Sequence, residues 1–174
     1  MFSDKVGSQI RFEIEQIDKL LNIYEEVLMK CKGDEPSLTE ITAAASVLHS
    51  FYNGLENIFK IIAKRIDNRT LSGEQWHKRL LSEMAQNAEN RGSVISEDLR
   101  EKLIKYMGFR HFFRHSYSFF LDREELRMLL LPLDETWKQV KRELGRFMFY
   151  LQAMLKDSPA EPQNLNADTC QYLP

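Results

Sequence analysis

Arg110, His111, Arg114 and His115 fall in one segment, GFRHFFRHSYSFFLD, at residues 108–122. A guanidinium stays charged at any working pH and offers a planar fork of donors that fits a phosphate. An imidazole has an ordinary pKa of about 6.5, so it takes up and releases protons near neutrality. Together they supply the minimum for metal-free RNA cleavage. One group deprotonates a 2'-hydroxyl, a cation stabilises the crowded phosphorus, and an acid protonates the departing 5'-oxygen. From Lys102 to Leu121 there is no Asp or Glu, although the whole chain carries a net charge of -2. Lys102 and Lys105 add to the cations, and Phe109, Phe112, Phe113, Tyr117, Phe119 and Phe120 are interleaved with them.

Other readings of the same residues stay open. His111 and His115 stand at i and i+4, so a continuous helix gives them one face. A metal would need a third ligand; no carboxylate or cysteine lies nearby, and Arg110 and Arg114 would repel a cation. No metal and no cofactor is therefore expected. The aromatics could stack on single-stranded bases, but at helical spacing core packing is the simpler role, and it is expected for Phe109, Phe112, Phe113 and Phe119. On charge and periodicity alone, a basic helix end whose arginines pair with acids such as Asp122, Glu124 or Glu125 is simpler than a catalytic site.

The elements that would hold this segment all read as helices. Ile10, Ile14, Ile17, Leu21, Tyr24 and Leu28 advance by threes and fours along one face, and Lys32 to Pro36 ends that helix. Ser37 and Glu40 form a capping-box pattern before a stripe of Ile41, Ala44, Leu48, Phe51, Leu55, Ile58, Ile62 and Ile66. Gly54 interrupts it at some cost to helix stability and leaves room for a close neighbour. Ser72 and Gln75 repeat the capping pattern ahead of Trp76, Leu80, Leu81 and Met84, and residues 87–95 read as a loop. Ser96 is expected to cap a helix running through Leu99, Leu103, Tyr106 and Met107 into the basic segment. Asp122 and Glu125 open the last long segment, bent near Pro132 and striped by Leu133, Trp137, Val140, Leu144, Phe147, Leu151 and Met154. The fold class is all-α, an antiparallel bundle of four to five helices over residues 1–157 with an extended or disordered tail at 158–174. His49 and His77, away from any paired motif, are assigned structural roles.

Composition narrows the setting. The 174 residues are 43% hydrophobic and 29% charged, as in an ordinary globular domain. No apolar run approaches the roughly 20 residues of a membrane span. The first residues, MFSDKVGSQIRFEIE, lack an export signal, and Cys31 and Cys170 lack metal-type spacing; a reducing cytoplasm is expected. A net charge of -2 argues against a general nucleic-acid coat protein and leaves room for a local basic site.

Arg110, His115 and Tyr117 read as R-x4-H-x-Y, which resembles the signature of the HEPN superfamily, in particular its HepT-like toxin branch. FYNGLENIFKIIAKRI at 51–66, with Tyr52, Asn53, Gly54 and Glu56, is similar to that branch's second helix. GEQWHKRLL at 73–81 is similar to its Trp-His segment, so the likeness spans about residues 10–150. The resemblance implies a HEPN-like bundle that dimerises and cleaves RNA without metal, encoded beside a minimal nucleotidyltransferase antitoxin. Arg110 would then bind and polarise the scissile phosphate and His115 would act as base or acid, with a two-fold dimer joining two motifs. His111 stands where the family usually has another polar residue, and with Arg114 it would bind substrate or share a proton step. Tyr117 matches the tyrosine that the antitoxin adenylylates in some members; a packed ring with a bonded hydroxyl is the other account of it. The alternative for the whole chain is a catalytically inactive HEPN-fold module that binds a nucleotide or a protein.

Overall fold

The computed structural model describes residues 2–33, 35–115, 117 and 121–156. Among these, seven helices follow one another: α1 (Phe2–Ile23), α2 (Glu25–Lys32), α3 (Leu38–Arg65), α4 (Trp76–Met84), α5 (Glu97–His115), α6 (Arg123–Leu130) and α7 (Leu133–Lys156). The expected helical bundle is present, with two of its long members subdivided. The predicted tail at 158–174, Cys170 and Phe119 lie outside the described residues.

The first helix breaks at Tyr24, whose φ of -101° and ψ of 12° leave the helical range. Tyr24 was expected on the buried stripe; the break turns it outward, 39% exposed, and re-aims α2 so that Leu28 and Cys31 are buried. The carbonyls at the end of α2 accept from α6, Lys32 from Arg127 Nε at 3.0 Å and Gly33 from Arg123 Nη2 at 3.1 Å. Such bonds satisfy groups that a helix end leaves unpaired.

Local chemistry sets the other boundaries. The Ser37–Glu40 capping box forms as expected, with Ser37 N–H donating to Glu40 Oε2 at 2.8 Å and Ser37 Oγ accepting from Glu40 N. Ser96 Oγ accepts from Leu99 N at 3.2 Å, and Asp122 Oδ1 accepts from Glu125 N at 2.9 Å. The pattern at Ser72 is not used that way. Gln75 itself precedes α4 in the left-handed region, φ 58°, and its side chain makes no cap; Gly73 at φ 84° completes the turn.

α3 is the central element, packed against α1, α2, α4, α5 and α6. Every residue of its predicted stripe is buried, from Ile41 to Ile66. Phe51 stands edge-on to Tyr106 of α5 and Trp137 of α7, which joins three helices at one ring. At Gly54 a Cβ would come within 2.7 Å of Ile17 Cγ1 and 2.8 Å of Cδ1. Ile17 is β-branched, stiff and itself buried, so it has little room to yield. Gly54→Val is therefore expected to lower the unfolding free energy by about 1–3 kcal/mol through overpacking. Urea unfolding that matched wild type would contradict this close approach of α1 and α3.

Candidate functional site

Four polar residues of α3, His49, Asn53, Glu56 and Lys60, advance by four, three and four, giving a polar strip beside the apolar stripe. Glu56 is 2% exposed, which a carboxylate tolerates only when paired. Its Oε1 lies 3.3 Å from Arg110 Nη2 of α5 and 3.0 Å from Lys60 Nζ. Its Oε2 bonds His77 Nδ1 of α4. Arg110 Nε donates to Asn53 Oδ1 at 2.5 Å, and Asn53 Nδ2 faces His49 Nε2 at 2.9 Å. Lys60 also sits over the Trp76 ring, 4.8 Å from its centre, and Trp76 stacks on His77 at 3.7 Å. Three helices thus meet around one buried carboxylate.

Arg110 is 8% exposed and turned into the bundle. It does pair with an acid, but with Glu56 of α3, not with the nearby Asp122, Glu124 or Glu125. Its Nη1 has no hydrogen-bond partner among the described residues. His111, Arg114 and His115 lie on the exposed side of the same helix. The His111 and His115 rings are 5.0 Å apart, as their i, i+4 spacing implies. α5 is unbroken from Glu97 to His115. Residues five apart on such a helix point about 140° from each other. One chain therefore brings His111 and His115 together on an exposed face, while Arg110 is buried on another.

Phe109 and Phe113 pack against the core as expected, whereas Phe112 is 39% exposed. Tyr117, two residues beyond α5, is 71% exposed, so its ring is not packed in the bundle.

The burial of His49 holds its imidazole below the ordinary 6.5, and the charges of Arg110 and Arg114 push in the same direction. It remains neutral beside the guanidinium. Its Nδ1 is buried without a hydrogen-bond partner among the described residues. Neither His49 nor His77 was assigned to the site from the sequence. For His49 the signal was there in the four-three-four spacing on α3, which runs one step off the apolar stripe; His77 lies on α4, outside that spacing. Among the described residues no group of three or more His, Cys, Asp or Glu is arranged to hold a metal ion. No described helix is long and apolar enough to cross a membrane.

With the helical bundle and this network established, comparison with known proteins gives a family. A family model described as HepT-like protein matches residues 43–151, and the chain belongs to the HepT-like branch of the HEPN superfamily. The match runs from early α3 into α7 and contains every residue of the network. No curated protein and no solved structure matches the chain. Membership in this branch carries a general association with toxin–antitoxin pairs, with a protein partner and with dimerisation.

Removing the central carboxylate tests the network. Glu56→Ala would leave Arg110 buried without its counter-charge, at an expected cost of about 3–5 kcal/mol. Glu56→Gln keeps hydrogen-bonding capacity and is expected to cost less. Urea unfolding is the measurement, and a loss under about 1 kcal/mol for Glu56→Ala would contradict a buried pair of this kind.

Proposed function

We propose that this chain is a metal-independent endoribonuclease toxin acting in the cytoplasm, whose active sites are completed between two protomers. One observation carries the composite arrangement: α5 runs unbroken through Arg110 and His115 and points them apart. They can act on one phosphate only if different protomers supply them. A two-fold dimer that brings the two α5 ends together supplies that pairing twice.

In this arrangement Arg110, held by Asn53 and Glu56, turns Nη1 toward a non-bridging oxygen of the scissile phosphate. His111 and His115 of the other protomer share an exposed face and divide the proton transfers. His115 takes the proton from the 2'-hydroxyl, and the 2'-oxygen attacks phosphorus. The bond to the 5'-oxygen breaks, and that oxygen receives a proton from the His111 imidazolium. The products are a 2',3'-cyclic phosphate and a 5'-hydroxyl. Arg114, exposed beside the two histidines and clear of carboxylates in sequence, holds the neighbouring backbone.

A cognate minimal nucleotidyltransferase antitoxin is the proposed protein partner, with Tyr117 as the adenylylated residue. The phenol oxygen would attack the α-phosphorus of ATP and release pyrophosphate. The exposure of Tyr117 suits that reaction, and the added phosphate would lie near the cations of α5 and compete with RNA.

The burial of Arg110 against Glu56 favours a second reading, a binding module in which this arginine is purely structural. Purified wild type and His115→Ala, incubated with bulk tRNA and a synthetic mRNA in EDTA, separate the two. The nuclease reading expects cleavage by wild type alone, with cyclic phosphate ends and a loss of at least about a hundredfold in the variant. RNA left intact by a folded, unmodified wild type, or cut equally well by His115→Ala, would overturn it.

A further inference from the structure

Beyond Glu56, on the side away from Arg110, the last turns of α3 and the start of α4 enclose a cavity of about 280 Å³. The chain makes this cavity by folding back on itself. Asn68 adopts a left-handed φ of 51°, which asparagine tolerates better than most residues, and Arg69 N–H returns to the Ala63 carbonyl at 2.9 Å. Leu71 is thereby laid over the end of α3, where with Ala63 and Leu80 it gives the cavity an apolar floor. Trp76 forms a wall.

The rim has one sign of charge. Lys60, Lys64 and Arg69 border the cavity, and no carboxylate lines it. Lys60 is drawn to Glu56, and Arg69 makes an exposed pair with Glu83 at 3.5 Å, which water weakens. Lys64 is exposed and has no ion pair among the described residues. An apolar floor beside a rim of three cations, of which Lys64 has no ion pair among the described residues, suits a ligand with a planar ring at one end and an anion at the other.

We propose that this cavity is a nucleotide-binding subsite, seating a base on the apolar floor and a phosphate against Lys64 and Arg69. Its place relative to the candidate active site extends the proposal. Lys60 Nζ and Arg110 Nη2 bind the same Glu56 oxygen, at 3.0 and 3.3 Å, so the cavity begins where the arginine's anchor ends. If the nuclease reading holds, on which this extension rests, the cavity takes a nucleotide flanking the scissile one in a single strand. Base seating and backbone cations are the usual combination for binding single strands.

The test uses a short fluorescein-labelled 2'-O-methyl oligoribonucleotide, which cannot be cleaved by 2'-hydroxyl attack, and reads anisotropy. The full chain carrying Lys64→Glu with Arg69→Glu is compared with Lys19→Glu with Lys138→Glu, an equal change in net charge on exposed residues of α1 and α7. Affinity is expected to fall at least about tenfold in the cavity variant and to change little in the control. Equal affinities in the two variants, with wild-type cleavage intact, would overturn the subsite and leave the nuclease reading standing. Cavity-dependent binding by a wild type that cuts nothing would keep the subsite and sink the nuclease. A second arm titrates wild type with AMP and with inorganic phosphate and follows tryptophan emission. A response to AMP without oligonucleotide binding assigns the cavity to a free nucleotide, and silence toward both AMP and the oligonucleotide overturns the proposal.

Discussion

The Glu56 carboxylate is the constraint on which the rest of the structure turns. A carboxylate at 2% exposure cannot remain ionised without partners, and its partners come from three places: Arg110 on α5, His77 on α4 and Lys60 on its own helix. Apolar contact between α5 and α3 is non-directional. A buried charge must be met at one point. It fixes the depth of α5, turns Arg110 inward and, because the helix continues, sends His111, Arg114 and His115 out. Asn53 then sets the plane of the guanidinium by accepting from Nε, and neutral His49 stands behind the amide.

The same geometry separates Arg110 from the exposed His115 within one chain. An α-helix that buries Arg110 must present His115 on another face, and the five-residue spacing leaves no alternative while the helix is intact. In the proposed dimer, the exposed histidines of a second α5 would meet the first chain's arginine. The basic window that looked unbalanced in sequence is then divided. Arg110 is neutralised from within by Glu56, Lys102 pairs with Asp98 at 2.8 Å, and His111, Arg114 and His115 are exposed near the end of α5.

Much of this was legible in the residues, and the gaps have physical causes. The α3 stripe, the Ser37–Glu40 box and the Ser96 and Asp122 caps are local signals, and each appears in the structure. The break at Tyr24 carries no glycine or proline, and periodicity ran through it, so that helix was expected to continue. At Ser72 the capping pattern was outweighed by the turn that Gly73 and Gln75 make. Phe112 followed the aromatic spacing of its neighbours yet faces outward, because a face is decided by what packs against it. The candidate site was legible in part: Arg110 and His115 of R-x4-H-x-Y lie on α5 and the Tyr52–Glu56 segment on α3, the two helices that the Arg110–Glu56 pair joins. That Asn53 and Glu56 hold Arg110, and that His77 joins them, are contacts between residues more than twenty positions apart, and spacing along one helix cannot show them.

The most direct test of the composite arrangement is a mixing experiment with two inactive variants. Arg110→Gln keeps a side chain that can bond Asn53 and Glu56, and His115→Ala changes only an exposed residue. Mixed in equal amounts and allowed to exchange subunits, they should form dimers with one intact site. RNA cleavage near a quarter of the wild-type rate is expected, since about half of randomly paired dimers are mixed and each has one of its two sites restored. A mixture that stays silent while both proteins are folded and exchange as dimers would contradict the account, as would an Arg110→Gln protein that cleaves as wild type does.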